Sequence, residues 1–111
     1  MAEVPQFIRD MKTAGLSPEE HTRIVNAVAA NPTHGDEVRG SGGVRKIRFA
    51  GRGKGKSGGY RVMVAYLGPN LPVYLLALLS KGERSNFSAT EIARFKAMTG
   101  EITRFWQRRT K

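Results

Sequence analysis

The side chains best suited to chemistry in this sequence are basic, and nine of the 19 lysines and arginines fall in one stretch. No Asp or Glu lies between Glu37 and Glu83, whereas that interval contains nine basic residues: Arg39, Arg45, Lys46, Arg48, Arg52, Lys54, Lys56, Arg61 and Lys81. The formal net charge of the chain is +10. Such concentrated positive charge is typical of proteins that bind nucleic acid, although a solvated surface or a contact face for an acidic protein has the same composition.

One motif within the basic stretch suggests a different chemistry. The sequence AGRGKGKSGGYR, residues 50–61, comes close to the Ala-x4-Gly-Lys-Ser form of a nucleotide-binding P-loop. A P-loop requires a helix directly after its lysine and serine, and an acidic residue after a later strand to hold Mg²⁺. Here two glycines and a strand-like pattern follow, and Glu83 lies in a predicted loop. We therefore reject an NTPase and predict a hairpin connection that presents cations to a polynucleotide: Arg52, Lys54 and Lys56.

The remaining composition narrows the class of protein. A length of 111 residues predicts a single domain over residues 1–111. There is no cysteine, and His21 and His34 stand apart, so we expect neither a metal nor a cofactor. The longest apolar run, residues 73–79, is too short to cross a membrane, and the N-terminus has no signal-peptide pattern. We expect a cytoplasmic protein.

Three helices are predicted, two before the basic stretch and one after it. Residues 4–15 have apolar residues at helical spacing and end in glycine. The SPEE motif, residues 17–20, is a capping box for a helix that ends at Asn31. Ser88 and Glu91 form a second capping box. The apolar stripe of this last helix, which we expect to pack on a sheet, consists of Ile92, Phe95, Met98, Ile102 and Phe105.

The middle of the chain has the alternating pattern of β-strands. Residues 44–50, 60–67 and 72–80 are predicted strands, and their short connections indicate an antiparallel meander. We expect residues 1–3 to be loose. The predicted fold class is α+β: an N-terminal helical hairpin, a three- to four-stranded antiparallel sheet and a C-terminal helix.

Two segments resemble the RelE/ParE superfamily of bacterial toxins, and within it the HigB-like branch. They are GDEVRGSGGVRKIRFAGRGKGKSGGYRVMVAY and YLLALLSKGERSNFSATE. The resemblance extends over about residues 16–105. It implies the RelE-like fold and the toxin half of a type II toxin–antitoxin pair. Its expected partners are mRNA in the ribosomal A site, rRNA, and a cognate antitoxin that is a small helix-turn-helix protein.

The resemblance also implies a reaction, the metal-independent cleavage of translated mRNA. The substrate's own 2′-OH attacks the adjacent phosphate, so the enzyme must accept one proton, stabilise the phosphorane charge and protonate the leaving 5′-oxygen. No histidine or carboxylate stands out in this sequence as the general base. Lysine and arginine would then carry most of the catalysis.

Motif positions that match the family suggest catalytic roles for five residues. Lys46 and Arg48, on one face of the first strand, match a basic pair that binds phosphate. Lys46 is the better candidate for the base, because burial favours a neutral lysine. Arg61 matches an arginine suited to stabilising the transition state through its planar fork. Lys81 and Arg84 flank the last loop, where one of them must replace a second arginine of the family.

Other residues are expected to hold RNA without taking part in the chemistry. The candidates are Arg45, Arg52, Lys54, Lys56, Tyr60 and Phe87, of which the two aromatic residues could stack on bases. The family's catalytic tyrosine aligns with Ser88, which is a helix cap here, so the acid–base assignments stay open. Lys46 and Arg48 could equally be the solvated face of an amphipathic strand, and Tyr60 could belong to the core.

Two other functions fit the same resemblance. The ParE branch inhibits DNA gyrase and has no RNase activity, so the basic site would only bind. A nucleic-acid-binding homologue that has lost its activity is the second. The dense group formed by Lys46, Arg48 and Arg61 favours the ribonuclease, because the ParE branch generally lacks it.

Overall fold

The protein is α+β, as predicted, with N-terminal helices, a sheet and a C-terminal helix. The structure is a computed structural model that describes residues 1–51, 55–80 and 87–109, with the side chains of residues 50–58 outside the description. Its elements in chain order are β1 (Ala2–Glu3), α1 (Pro5–Ala14), α2 (Pro18–Ala30), β2 (Asp36–Glu37), β3 (Val44–Gly51), β4 (Gly55–Ala65), β5 (Tyr74–Ser80) and α3 (Ala89–Arg109).

The central part of the sheet is the predicted antiparallel meander of β3, β4 and β5. The full order is β1-β5-β4-β3-β2, because a two-residue strand is added at each edge. Strand β2 is antiparallel to β3, whereas β1 is parallel to β5. The expectation that residues 1–3 are loose was therefore wrong. The backbone N–H groups of Ala2 and Val4 donate to the carbonyls of Val73 and Leu75, which holds this terminus on the sheet.

Strand β4 begins five residues earlier than its sequence pattern predicts. The predicted strand started at Tyr60, but Gly55 already pairs with Gly51 across the hairpin. Glycines weaken a strand when it is judged by local propensity alone, and pairing with a neighbouring strand overrides that weakness. The backbone of Lys56 therefore belongs to β4, and the connection between the two strands shortens to residues 52–54.

The helix boundaries follow the capping signals in the sequence. The Ser17 hydroxyl accepts from the Glu20 N–H at 3.2 Å, and the Glu20 carboxylate accepts from the Ser17 N–H at 3.0 Å. Ser88 and Glu91 make the same reciprocal pair at the start of α3, at 3.1 and 2.9 Å. Helix α1 ends at Gly15, which takes a left-handed conformation with φ of 72°. Each terminus thus satisfies backbone groups that the helix leaves unpaired.

The sheet has an apolar cluster on each face. On one face, α1 and α2 bury Phe7, Ile24 and Val28 against β3, β4 and β5. On the opposite face, Phe95 and Met98 of α3 pack against a second cluster. Because side chains alternate along a strand, neighbouring residues of β4 enter different clusters. The buried members of the second cluster are Val44, Met63, Ala65 and Leu76.

Helix α3 is also held on the sheet by two polar contacts. Thr99 is its buried residue among those described, and its hydroxyl donates to the Ser41 carbonyl at 3.1 Å. Near the end of the helix, the Trp106 indole donates to the Tyr74 hydroxyl at 2.8 Å. The predicted apolar stripe is only partly covered, since Phe105 stays 39% exposed. The helix therefore closes one part of the core and extends past it.

The contact between the 38–43 turn and α3 gives a test of the packing. Gly42 has φ of 80°, and an added Cβ would lie 2.5 Å from the Thr99 hydroxyl oxygen. Gly15 has φ of 72° but no described atom within 4 Å of an added Cβ. Gly15→Ala should lower the free energy of unfolding by about 1–2 kcal/mol through backbone strain alone. Gly42→Ala should cost about 1–3 kcal/mol more, because buried Thr99 must move.

Urea unfolding of the two variants beside the wild type measures this difference. Equal losses of stability would show that α3 adjusts freely and that the Thr99 contact does not fix its position.

Candidate functional site

Three basic residues share one face of the sheet. Lys46 and Arg48 alternate with Ile47 on β3, and Arg61 lies between Tyr60 and Val62 on β4, so all three belong to the face that α3 partly covers. Arg48 and Arg61 are direct cross-strand partners, and such pairs have Cβ atoms about 4.5–5.5 Å apart. We call Lys46, Arg48 and Arg61 the basic cluster.

The basic cluster is accessible because α3 covers only the other end of this face. The cross-strand pair of Val44 and Ala65 is buried in the cluster on which α3 packs. At the other end, Arg48 is exposed, and Lys46 and Arg61 are half-buried. Like charges placed directly opposite each other on a sheet destabilise it. An anion bound between Arg48 and Arg61 would relieve that repulsion, so the geometry suits a phosphate group.

The sheet also brings a carboxylate to the cluster, which the sequence reasoning missed. Asp36 of β2 is the direct cross-strand partner of Lys46, and directly paired residues point to the same face. The side chain of Asp36 is exposed. Sequence alone gave no signal for this pairing, because a two-residue strand leaves no alternating pattern. Its neighbour Glu37 pairs with Arg45 and points to the opposite face.

Arg45 lies away from the basic cluster, and its guanidinium group is engaged elsewhere. It alternates with Lys46 and so belongs to the face of α1 and α2. Its Nη1 donates to the carbonyls of Thr33 and Gly35, both at 3.1 Å. These bonds anchor the turn after α2 against β3. Asp36 directly follows this turn, and the anchored turn holds it opposite Lys46.

The two candidate stacking residues pack within the protein. Tyr60 is half-buried against the cluster beneath α1 and α2, on the face opposite Arg61. Phe87 is half-buried on the α3 side, where its ring meets Phe95 edge-on with centroids 5.3 Å apart. Phe87 thus shares the face of the basic cluster, and Tyr60 does not.

Several predicted site residues lie outside the described residues. Arg52 and Lys54 fall between β3 and β4, and Lys81 and Arg84 fall between β5 and α3. For Lys56 the structure describes a strand backbone but no side chain. Each of these segments is adjacent in sequence to a strand of the basic cluster or to its neighbour β5.

Residues 1–51, 55–80 and 87–109 contain no group of three His, Asp or Glu side chains able to hold a metal ion. His21 instead pairs with Glu3 at 2.8 Å and links α2 to β1. Within the same residues no helix is both long and apolar enough to span a bilayer.

The basic cluster therefore presents side chains that are suited to binding a phosphate group. The guanidinium groups of Arg48 and Arg61 are planar, and each can donate two parallel hydrogen bonds to one phosphate. Lys46 adds a compact positive charge two residues before Arg48 on the same face of β3. Asp36 supplies a possible proton acceptor at the β2 edge. Strand β4 includes Lys56 and Ser57, so these residues do not begin a helix as they would in a P-loop.

One protein-family model matches nearly the whole chain. The family model described as the RelE toxin of the RelE / RelB toxin-antitoxin system matches residues 4–110. The match includes α1, every strand from β2 to β5, and α3, and thus the whole basic cluster. It extends well beyond half of the chain. The chain therefore belongs to the RelE toxin family and is the toxin component of a toxin–antitoxin system.

Proposed function

We propose that this toxin is a metal-independent endoribonuclease of the HigB-like branch that cleaves mRNA in the ribosomal A site. The observation that carries the proposal is the basic cluster, three cations on one accessible sheet face of a RelE-family toxin. Its substrates and partners are translated mRNA and rRNA, which places its action in the cytoplasm.

The proposed reaction is an internal transesterification. The 2′-oxygen forms a bond to the adjacent phosphorus while the bond from phosphorus to the 5′-oxygen breaks, and the upstream fragment retains a 2′,3′-cyclic phosphate. One proton leaves the 2′-OH, and one is delivered to the departing 5′-oxygen. Arg61 and Arg48 stabilise the charge that develops on the non-bridging oxygens, which is the largest single contribution such a site can make.

Two groups are candidates for the general base. Lys46 lies on the same strand face as Arg48, and a neutral lysine there would accept the 2′-OH proton. Asp36, its cross-strand partner, already carries an acceptor when ionised. With Asp36 as the base, Lys46 remains a cation and is able to protonate the 5′-oxygen. This second assignment gives each proton its own group, and we favour it.

Further cations of the proposed site come from segments adjacent in sequence to its strands. Arg52, Lys54 and Lys56 would bind the backbone of mRNA or rRNA, and Lys81 and Arg84, which follow β5 in the sequence, would add charge to the catalytic group. Phe87, on the same face, remains a stacking candidate. We leave Tyr60 and Arg45 out of this surface because they belong to the opposite face.

Gyrase inhibition is the competing function, with a basic site that binds and performs no chemistry. An inactive nucleic-acid-binding homologue is a further alternative. The basic cluster favours the ribonuclease, because two arginines can each donate a pair of hydrogen bonds to the oxygens of a pentacoordinate phosphate. A site that only binds nucleic acid by charge does not need that geometry.

Arg61→Ala should lower the rate of mRNA cleavage by about 100-fold, since it removes a transition-state donor. Arg61→Lys should recover only part of the rate, because it keeps the charge and loses the fork. Arg104→Ala, which removes an exposed arginine of α3, is the matched control and should keep full activity. Primer extension on translated and untranslated mRNA measures both the rate and the ribosome dependence.

Growth arrest with intact mRNA and a loss of DNA supercoiling would overturn the ribonuclease assignment and support gyrase inhibition. Growth and mRNA that are both unaffected by the wild-type protein would support the inactive homologue.

Asp36→Asn distinguishes the two candidate bases. If Asp36 takes the 2′-OH proton, this variant should lower kcat at least about 100-fold with little change in KM. Glu37→Gln is the matched control, because Glu37 is the adjacent residue and points to the other face. Steady-state cleavage of mRNA on programmed ribosomes measures kcat and KM for both variants. Full activity of Asp36→Asn, together with inactive Lys46→Ala, would assign the base to Lys46.

The hairpin lysines should act through charge alone. Replacing Lys54 and Lys56 by alanine should flatten the salt dependence of ribosome binding by about one unit of slope per lost phosphate contact. The control replaces two exposed lysines of other elements, Lys12 and Lys96. Titration of fluorescent toxin with ribosomes at several salt concentrations gives the slopes, and an unchanged slope would mean that the hairpin does not contact phosphate.

A further inference from the structure

The carboxylate of the proposed site lies on a strand that is too short to hold itself in place. Strand β2 consists of Asp36 and Glu37 alone and forms one outer edge of the sheet. A two-residue ladder contributes few hydrogen bonds, and short edge segments open readily within an otherwise folded protein. The position of Asp36 opposite Lys46 therefore depends on how the chain is attached before and after β2.

The chain after β2 is attached by backbone and serine contacts. The Val38 N–H donates to the Val44 carbonyl at 2.8 Å, which continues the ladder by one residue. The buried Ser41 hydroxyl donates to the Val38 carbonyl at 2.6 Å and accepts from the Val44 N–H at 3.0 Å. These contacts hold the end of β2 that follows Glu37.

The chain before β2 is attached through the side chain of Arg45. Its Nη1 bridges the carbonyls of Thr33 and Gly35, both at 3.1 Å. Hydrogen bonds from a charged donor are stronger than those between neutral groups. Within the turn, the His34 N–H donates to the Asn31 carbonyl at 3.1 Å, which shapes the turn without joining it to β3. Arg45 thus ties the start of β2 to the strand beside it.

Gly35 lets the turn approach β3 closely. It has φ of 92°, and a Cβ added there would collide with the Lys46 carbonyl oxygen. Glycine adopts a positive φ without strain and has no side chain to obstruct the contact. The turn therefore rests on the backbone of the residue that faces Asp36, and Arg45 holds it there.

We propose that Arg45 is a positioning residue for the reaction, although it lies on the face of the sheet opposite the basic cluster. By holding the carbonyls of the turn, its guanidinium group keeps Asp36 directly across from Lys46. The inference rests on the proposed function, in which Asp36 accepts the 2′-OH proton. A misplacement of about 1 Å at a reacting group costs up to about 100-fold in rate.

Replacement of Arg45 tests the role directly. Arg45→Met should lower kcat about tenfold and leave KM within about twofold, because Asp36 is displaced while the phosphate-binding arginines stay in place. Arg45→Lys retains a charged donor and should recover part of the loss. Arg39→Met is the matched control, since it removes the same charge from an exposed position after β2 and should leave kcat and KM unchanged. Steady-state cleavage of mRNA on programmed ribosomes measures these constants.

A second variant disturbs the same turn without touching Arg45. Gly35→Ala pushes the turn away from β3 and should lower kcat in the same way as Arg45→Met. Gly68→Ala is its control, because Gly68 has φ of 119° but no described atom within 4 Å of an added Cβ. We call Arg45→Met and Gly35→Ala the turn variants.

A double-mutant cycle separates positioning from a general loss of structure. An Asp36→Asn background has no carboxylate left to place, so adding Arg45→Met should lower kcat by less than about twofold. A purely structural role would lower kcat by the same factor in both backgrounds. Equal factors would overturn the inference, and so would full activity of Asp36→Asn.

Amide hydrogen exchange tests the placement without any substrate. Hydrogen-bonded pairs alternate along an antiparallel ladder, so the bond from Val38 to Val44 makes Asp36 and Lys46 the next such pair. The turn variants should raise the exchange rate of the Lys46 amide about tenfold, and their controls should leave it unchanged. An unchanged rate at Val62, in the centre of the sheet, verifies that the fold is intact.

The exchange rates also separate this inference from the proposed function. If the wild-type toxin cleaves no mRNA, the ribonuclease proposal fails by itself. Faster exchange at Lys46 in the turn variants alone would still establish that Arg45 places Asp36. Equal exchange rates in the turn variants and their controls would overturn the placement, whether or not mRNA is cleaved.

Discussion

The hydrogen-bonded pairing of β3 with β4 is the constraint on which the rest of the site depends. It holds Arg48 directly opposite Arg61, an arrangement that two free arginine side chains would avoid. The ladder continues into buried pairs such as Val44 with Ala65 and Ile47 with Val62, whose burial fixes the register. A slip of one residue would turn every side chain of a strand to the other face. The apolar core therefore stabilises the position of the charges.

The asymmetry of the second face follows from how α3 is attached. Thr99 and Trp106 anchor the helix to Ser41 and Tyr74, which lie at the end of the sheet away from Arg61. Helix and cations thus divide the same face between them. One half is closed and apolar, and the other is open and basic. A helix placed one turn nearer the hairpin would cover the cluster and remove its charges from water, which is strongly unfavourable.

Much of the fold could be predicted because its signals are local. The capping boxes at Ser17 and Ser88 and the glycine after α1 mark helix ends through contacts within three or four residues, and all appear as expected. The strands β1 and β2 could not be predicted in this way. Each has two residues, too few for an alternating pattern, and each forms only because a longer strand offers an edge.

The site divides along the same line. Alternation along β3 and β4 predicted that Lys46 and Arg48 share a face. It could not predict which helix covers that face, because this depends on the tertiary structure. Arg45 is basic like its neighbours in the sequence, but its guanidinium group donates to two backbone carbonyls of the turn after α2. Asp36 reaches Lys46 only through that turn. Its position opposite Lys46 could not be predicted from spacing, since the pairing joins segments that no periodic pattern links.

The carboxylate of Asp10 has a consequence for the protein as a population of molecules. An uncovered strand edge is a template on which an identical chain can add its own strand and begin an aggregate. Beyond Leu75, the β5 edge presents an N–H that is already bonded to a charged side chain of α1. A second sheet could reach that edge only by displacing the charge and leaving it desolvated. The sheet is thus hindered from joining its own copies edge to edge.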